Sequence, residues 1–276
     1  MKMKKSVMRL LVAVMVMVSA VLTMGLSAEA KDMDSIGYLT PEGSTVLNWT
    51  EEESLAQEFI YMPFQVKKDG YVTFTVNNTP ENAGDHFRGT WFLCNSAKKE
   101  ITSTGDCGFW QEDKMTLAVK GGNTYFLKVK CSDEEIVIDH QYQEVNDKSG
   151  NKKSKACRLA KNKKAEGLLM AGESKVDWYK ITLTKKQVLK ITIAQKSYRG
   201  LGMKVYDSKG EEVYGLDYWK VSSSDTLDDP DTLSSLNAPG VGKSKFKKLP
   251  KGTYYVKVYN NAKDSMGCGY YSLKWK

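Results

Sequence analysis

The sequence predicts an all-β protein built as two tandem antiparallel β-sandwiches. Apolar and polar residues alternate over short runs, turn residues recur between them, and beyond the N-terminal leader no long segment shows the 3.6-residue period of a helix. A third observation doubles the unit: segments of the first half align without gaps on segments of the second, in the same order. The chain has 276 residues, 41% hydrophobic and 27% charged, which excludes a disordered polyelectrolyte and a multi-span membrane protein.

The leader comes first. Lys2, Lys4, Lys5 and Arg9 precede an apolar run from Leu10 to Leu26, and Ala28-Glu29-Ala30 follows as a small-x-small site before Lys31. Residues 1–30 therefore read as a secretory signal peptide. The apolar run approaches the length of a membrane anchor, but the cleavage pattern favours removal. A secreted, extracellular protein with no stable membrane span after cleavage is expected. The mature chain divides into a first sandwich over residues 31–145, a linker over 146–155 and a second sandwich over 156–276.

Three matches define the strands. Phe64 to Val76 lies over Ile181 to Ile193, each row two alternating strands around a tight turn. Phe64, Val66, Val72, Phe74 and Val76, with Ile181, Leu183, Leu189, Ile191 and Ile193, form the predicted buried faces, while Thr73, Thr75, Lys190 and Thr192 are predicted to face outward. Leu93 to Ile101 over Val205 to Val213 reads as a hairpin closed by polar turn residues. Gly121 to Val129 over Pro250 to Val258 reads as one long strand. The second half carries extra residues near 217–243, read as an inserted loop.

Charge separates the halves. Residues 31–150 hold 11 Lys plus Arg against 20 Asp plus Glu, and residues 151–276 hold 26 against 12, so the first is net −9 and the second net +14. Such a split suits either docking of one half on the other or an anionic partner for the second. Five cysteines lie beyond the leader. Cys94 with Cys107 and Cys157 with Cys268 are candidate disulfides that would leave Cys131 free, and all five reduced is the open alternative.

Asp177-Trp178-Tyr179-Lys180-Ile181-Thr182-Leu183, then Val205 to Val213, then Leu249-Pro250-Lys251-Gly252-Thr253-Tyr254-Tyr255-Val256-Lys257-Val258-Tyr259 resemble the bacterial pre-peptidase C-terminal domain. The resemblance covers residues 155–276, with the first half a weaker copy that has Tyr61 where the second has Trp178. It implies a jelly-roll-like sandwich of the kind appended to secreted proteases, and a binding accessory instead of a catalyst.

Two features point to binding. Lys152, Lys153, Lys155, Arg158, Lys161, Lys163 and Lys164, with Lys247 and Lys248 further on, are candidates for an anion-binding surface. Tyr255 and Tyr259, on the outward parity of the last long strand, and Tyr218 and Trp219 in the insertion are candidate ligand-stacking residues. Trp178 reads as packing. Asp225, Asp228, Asp229 and Asp231 cluster oxygens of the kind that suit Ca²⁺ but lack the spacing of a calcium loop, so a solvated acidic loop is the favoured reading, calcium binding there is the open alternative, and no metal or cofactor is assigned. Asp85-His86 and Asp139-His140 make poor catalytic dyads because neighbours on a strand face opposite ways. The expected function is a non-catalytic binding protein for an extracellular glycan, anionic polymer or matrix protein, with no nucleic-acid partner. The alternative is an accessory subunit of a separately encoded secreted hydrolase or protease.

Overall fold

The computed structural model describes residues 31–32, 37–50, 58–77, 89–102, 114–131, 135–173, 175–198, 201–216, 231–234, 248–260 and 267–276. The predicted signal peptide, His86, Cys107, Tyr218, Trp219, Lys247 and the acidic stretch up to Pro230 lie outside the described residues.

The first half contributes β1 (Lys31–Asp32), β2 (Glu42–Asn48), β3 (Ile60–Gln65), β4 (Gly70–Asn77), β5 (Gly89–Cys94), β6 (Lys114–Val119), β7 (Thr124–Cys131) and β8 (Glu135–Glu144). They pair as sheet I, in the order β1-β3-β7-β5, and sheet II, in the order β2-β8-β4-β6. The second half contributes β9 (Cys157–Arg158), β10 (Ala165–Leu169), β11 (Val176–Leu183), β12 (Lys190–Tyr198), β13 (Leu201–Tyr206), β14 (Glu212–Leu216), β15 (Asp231–Ser234), β16 (Gly252–Asn260) and β17 (Cys268–Trp275). Here sheet III runs β10-β17-β12-β15 and sheet IV runs β9-β11-β16-β13-β14. With β14 set aside, the two halves have the same topology strand for strand. Pairing is antiparallel throughout these sheets except for two short parallel additions, β1 on β3 and β9 on β11.

The repeat extends to register. Tyr61 faces Lys128 as Trp178 faces Lys257, Phe64 faces Tyr125 as Ile181 faces Tyr254, and Leu93 faces Leu127 as Val205 faces Val256. All ten residues assigned to the buried face are buried. In the first half they join one core between sheets I and II, where the Phe64 and Phe74 rings lie 5.2 Å apart. A separate core fills the space between sheets III and IV.

The strands predicted on either side of the tight turn in 64–76 are β3 and β4, and because β3 belongs to sheet I and β4 to sheet II, the turn at 66–69 crosses between layers; 183–190 does the same in the second half. Two expectations are corrected. The segment read as an inserted loop contains β15, which pairs with β12 as β6 pairs with β4. Thr73 is buried and shares a 2.9 Å hydrogen bond with Thr116.

Burial of Thr73 follows from how the halves dock. The outer side of sheet II lies on the outer side of sheet III, through β4 and β6 against β12 and β17, giving four layers in the order I, II, III, IV. Tyr71, Ala118 and Val145 form an apolar cluster there with Leu168, Met170 and Tyr270. The Tyr71 and Tyr270 rings are 5.0 Å apart, and Ala171 donates its backbone N–H to the Ala118 carbonyl at 3.1 Å. Cys268 packs into the same junction, its thiol pushed up to about 12 by burial. Cys157 lies on the edge of sheet IV and Cys268 on β17 of sheet III, and both are free, so the Cys157–Cys268 pairing does not form; Cys94 is free as well. The described core of this junction is thus apolar. Tyr270→Ala is expected to cost about 3 kcal/mol and to separate the unfolding of the halves into two steps in chemical denaturation. One unshifted transition would show that the junction contributes little.

The segment 146–155 is docked on the second half. Gly150 exchanges two backbone hydrogen bonds with Trp178, at 2.7 and 3.3 Å, and residues 153–155 make one 3-10 turn. Asp147 accepts hydrogen bonds from Lys175 Nζ at 2.8 Å and the Leu168 N–H at 3.3 Å. Lys175 also pairs with Asp177 Oδ1 at 3.5 Å, while the Tyr271 hydroxyl donates to Asp177 Oδ2 at 2.7 Å and lies 2.9 Å from that of Tyr179. Asp177 is fully buried, and burial raises its carboxyl above the usual range.

Candidate functional site

Strand alternation decides what sheet IV shows to solvent. On β11, Asp177, Tyr179, Ile181 and Leu183 point inward, so Val176, Trp178, Lys180 and Thr182 point out. On β16 the inward Tyr254, Val256 and Val258 leave Thr253, Tyr255, Lys257 and Tyr259 outside, and on β13 the inward Leu201, Met203 and Val205 leave Gly202, Lys204 and Tyr206.

Register sets these residues in rows across three strands. Trp178, Lys257 and Lys204 form one row; Lys180, Tyr255 and Tyr206 form the next. Trp178 and Tyr206 approach to 5.6 Å between ring centroids. Lys153 holds its ammonium 4.6 Å from the Tyr255 ring centre, and Lys257 lies 5.0 Å from that of Tyr259. Tyr259 lies across Gly202, where a Cβ would come within 2.6 Å of its ring, so glycine lets the aromatic ring lie flat on the sheet. Lys204 pairs with Glu212 at 3.1 Å. Arg158, exposed on β9, stands beside Lys180 at the other edge. Four half-buried rings and a set of cations thus share one open strand surface.

The sequence candidates separate on this map. Tyr255 and Tyr259 lie on the outer face as expected, with Lys153 and Arg158 beside them. Lys152 and Lys155 are exposed on the adjoining turn. Lys161 turns away to lie 5.9 Å from the Trp275 ring, and exposed Lys163 belongs to the same β9–β10 connection. Lys164 stands at the cleft between the halves, about 520 Å³, also lined by Tyr71, Glu166, Tyr270 and Lys274. It pairs there with Glu166 at 2.9 Å, and that hydrogen bond holds its ammonium above the ordinary range. Lys248 is exposed just before Leu249, which bridges to Gln187. The basic run therefore does not form one face.

Trp178, Tyr206, Lys180, Lys204 and Lys257 were missed as site residues. The parity that placed Tyr255 and Tyr259 outward also places Lys257, and applied to β11 it places Trp178. Equating Trp178 with Tyr61 was sound, since both occupy the same register, but both face outward, so the equivalence does not imply core packing. His140 is buried against Gly43 and Thr40, and burial lowers its pKa, whereas Asp139 pairs with Ser44. Among the described residues no group of three or more His, Cys, Asp or Glu is placed to hold a metal ion.

No protein-family model matches the chain, and no curated protein matches it. Among solved structures, the pre-peptidase C-terminal domain of a collagenase from Bacillus anthracis is similar at 17% identity and a TM-score of 0.33, covering 46% of this chain and 100% of that one. Tripeptidyl peptidase 2 matches at 13% identity and a TM-score of 0.28, covering 88% of this chain and 24% of that one. The CUB1-EGF-CUB2 domain of human MASP-1/3 matches at 6% identity and a TM-score of 0.24, over 86% of this chain and 100% of that one. The tandem-sandwich architecture rests on the strand pairing of this chain itself.

Proposed function

We propose that the protein is a secreted, non-catalytic binding protein and that the outer face of sheet IV holds an anionic glycan at a cell surface or in the extracellular matrix. The observation that carries this reading is the interleaving of Trp178, Tyr206, Tyr255 and Tyr259 with Lys153, Lys180, Lys204 and Lys257 on one strand surface. Aromatic faces stack on the apolar faces of sugar rings, and ammonium groups between them meet carboxylate or sulfate substituents. The net +14 of the second half supports the same partner. The three runs resembling the pre-peptidase C-terminal domain supply β11, the β13–β14 hairpin and β16, which are the strands that build this face; we extend that proposal to the first half as a divergent copy.

The test is binding of the mature chain to arrayed anionic and neutral glycans at low and high salt, beside a Lys153→Gln, Lys204→Gln, Lys257→Gln variant. Salt-sensitive binding to the anionic set, weakened at least about tenfold in the variant, is expected. Binding that the three substitutions leave unchanged would remove this face as the site, and silence across the array would turn the search to a secreted protein partner.

A further inference from the structure

We propose that sheet I carries a second glycan-binding face, so that one molecule holds two anionic polysaccharide chains at opposite ends of its four layers and cross-links them. This rests on the reading of sheet IV given above.

The first support is correspondence of position. Tyr61 occupies the register of Trp178, Phe126 that of Tyr255 and Lys128 that of Lys257, so the repeat that built one face built the other on the same strands. The second is chemistry. Tyr61 and Phe126 meet edge to face at 6.1 Å, and Lys98 lies 4.9 Å from the first ring and 5.5 Å from the second. Lys128 and Lys130 lie 4.1 and 5.3 Å from the ring of Phe59, which itself stands 6.2 Å from Phe92. Glu100 pairs with Lys128 at 2.7 Å. This surface is therefore locally positive although its half is net −9, and a bound polyanion meets lysines there.

The third is placement. Sheets II and III bury their outer sides in each other, which leaves the outer sides of I and IV as the two ends of the stack. At ~10 Å between packed sheets the ends are roughly 30 Å apart and face opposite ways. A single extended polymer cannot lie on both at once, so two sites in this geometry join separate chains and do not reinforce one another on a single chain.

The experiment uses the full mature chain with heparin as the anionic probe, a short oligosaccharide for titration calorimetry and long chains for light scattering. The native protein is expected to take two short fragments and to scatter strongly with long chains. Tyr61→Ala with Phe126→Ala, and separately Trp178→Ala with Tyr255→Ala, should each leave one fragment bound and abolish scattering. Lys98→Glu with Lys130→Glu, which changes only partly exposed side chains, should repeat the first result if the aromatic variant unfolds. One fragment on the native protein, lost with the sheet IV variant and untouched by either sheet I variant, would overturn the cross-linking inference and leave the sheet IV site standing. Binding unaffected by the sheet IV variant, or no binding by the native protein, would overturn both.

Discussion

Replacing Trp178 by alanine is expected to weaken binding at the sheet IV face by ~2 kcal/mol, about 30-fold in Kd, and Tyr255→Ala by a similar amount. Both rings are half-buried on the outside of the sheet, so their loss removes ligand contact and one ring–ring contact but opens no core cavity. The double variant should fall short of the product of the single effects, since the rings act on one ligand and share its desolvation. Equilibrium titration measures the loss, and a thermal melt within a few degrees of the native protein shows that the fold survives. A melt that collapses together with binding would return Trp178 to the packing role that the sequence first suggested.

Tyr271→Phe is expected to destabilise the protein strongly for the loss of a single hydroxyl. The lost hydroxyl donates to Asp177 Oδ2 and contacts the hydroxyl of Tyr179, and all three side chains are buried. Leaving a buried carboxylate short of a donor costs ~3 kcal/mol, which corresponds to roughly 10 °C in Tm. The pH dependence has a definite sign. Burial raises the Asp177 pKa in the folded state, so the folded protein binds that proton more readily than the unfolded chain, and the stability from this group grows as pH falls through the raised value toward the unfolded one and is lost as pH rises back through it. Because the Tyr271 hydrogen bond opposes the raising, its removal lifts the carboxyl further. The deficit of the variant should therefore shrink as pH falls through the raised carboxyl's range toward that of an ordinary carboxylate. A deficit independent of pH would place the cost in packing and not in the carboxylate.

Strand positions and register were well marked in the sequence because two copies of one pattern fix each other's alignment. Phe64 over Ile181 and Leu93 over Val205 fall in matching register positions, and the buried faces follow. Which layer a strand joins was not marked. β3 and β4 follow one another through a short turn, and their alternation is the same whether the chain folds back in one sheet or crosses to another. Thr73 shows the limit of polarity as a guide: a threonine on the outer side of sheet II looks solvated until another sheet covers it, and its bond to Thr116 satisfies both hydroxyls in the dry junction. The site was legible in part. Tyr255 and Tyr259 could be placed from strand parity, but gathering them with Trp178, Tyr206 and Lys153 required pairings across β11, β16 and β13 that no linear spacing records. The lysine run misled for the opposite reason, since 152–164 crosses from the edge of sheet IV to the cleft, and a linear cluster is scattered by the turn at 159–164.

The apolar junction between sheets II and III also removes a degree of freedom. Halves joined by a slack tether would let their outer faces turn relative to one another. Tyr71 near Tyr270, and Cys268 buried beside Ala118, fix sheet II on sheet III, so the outer faces of sheets I and IV keep opposite directions. A surface held at the sheet IV end therefore leaves the aromatic and lysine face of sheet I directed away from it.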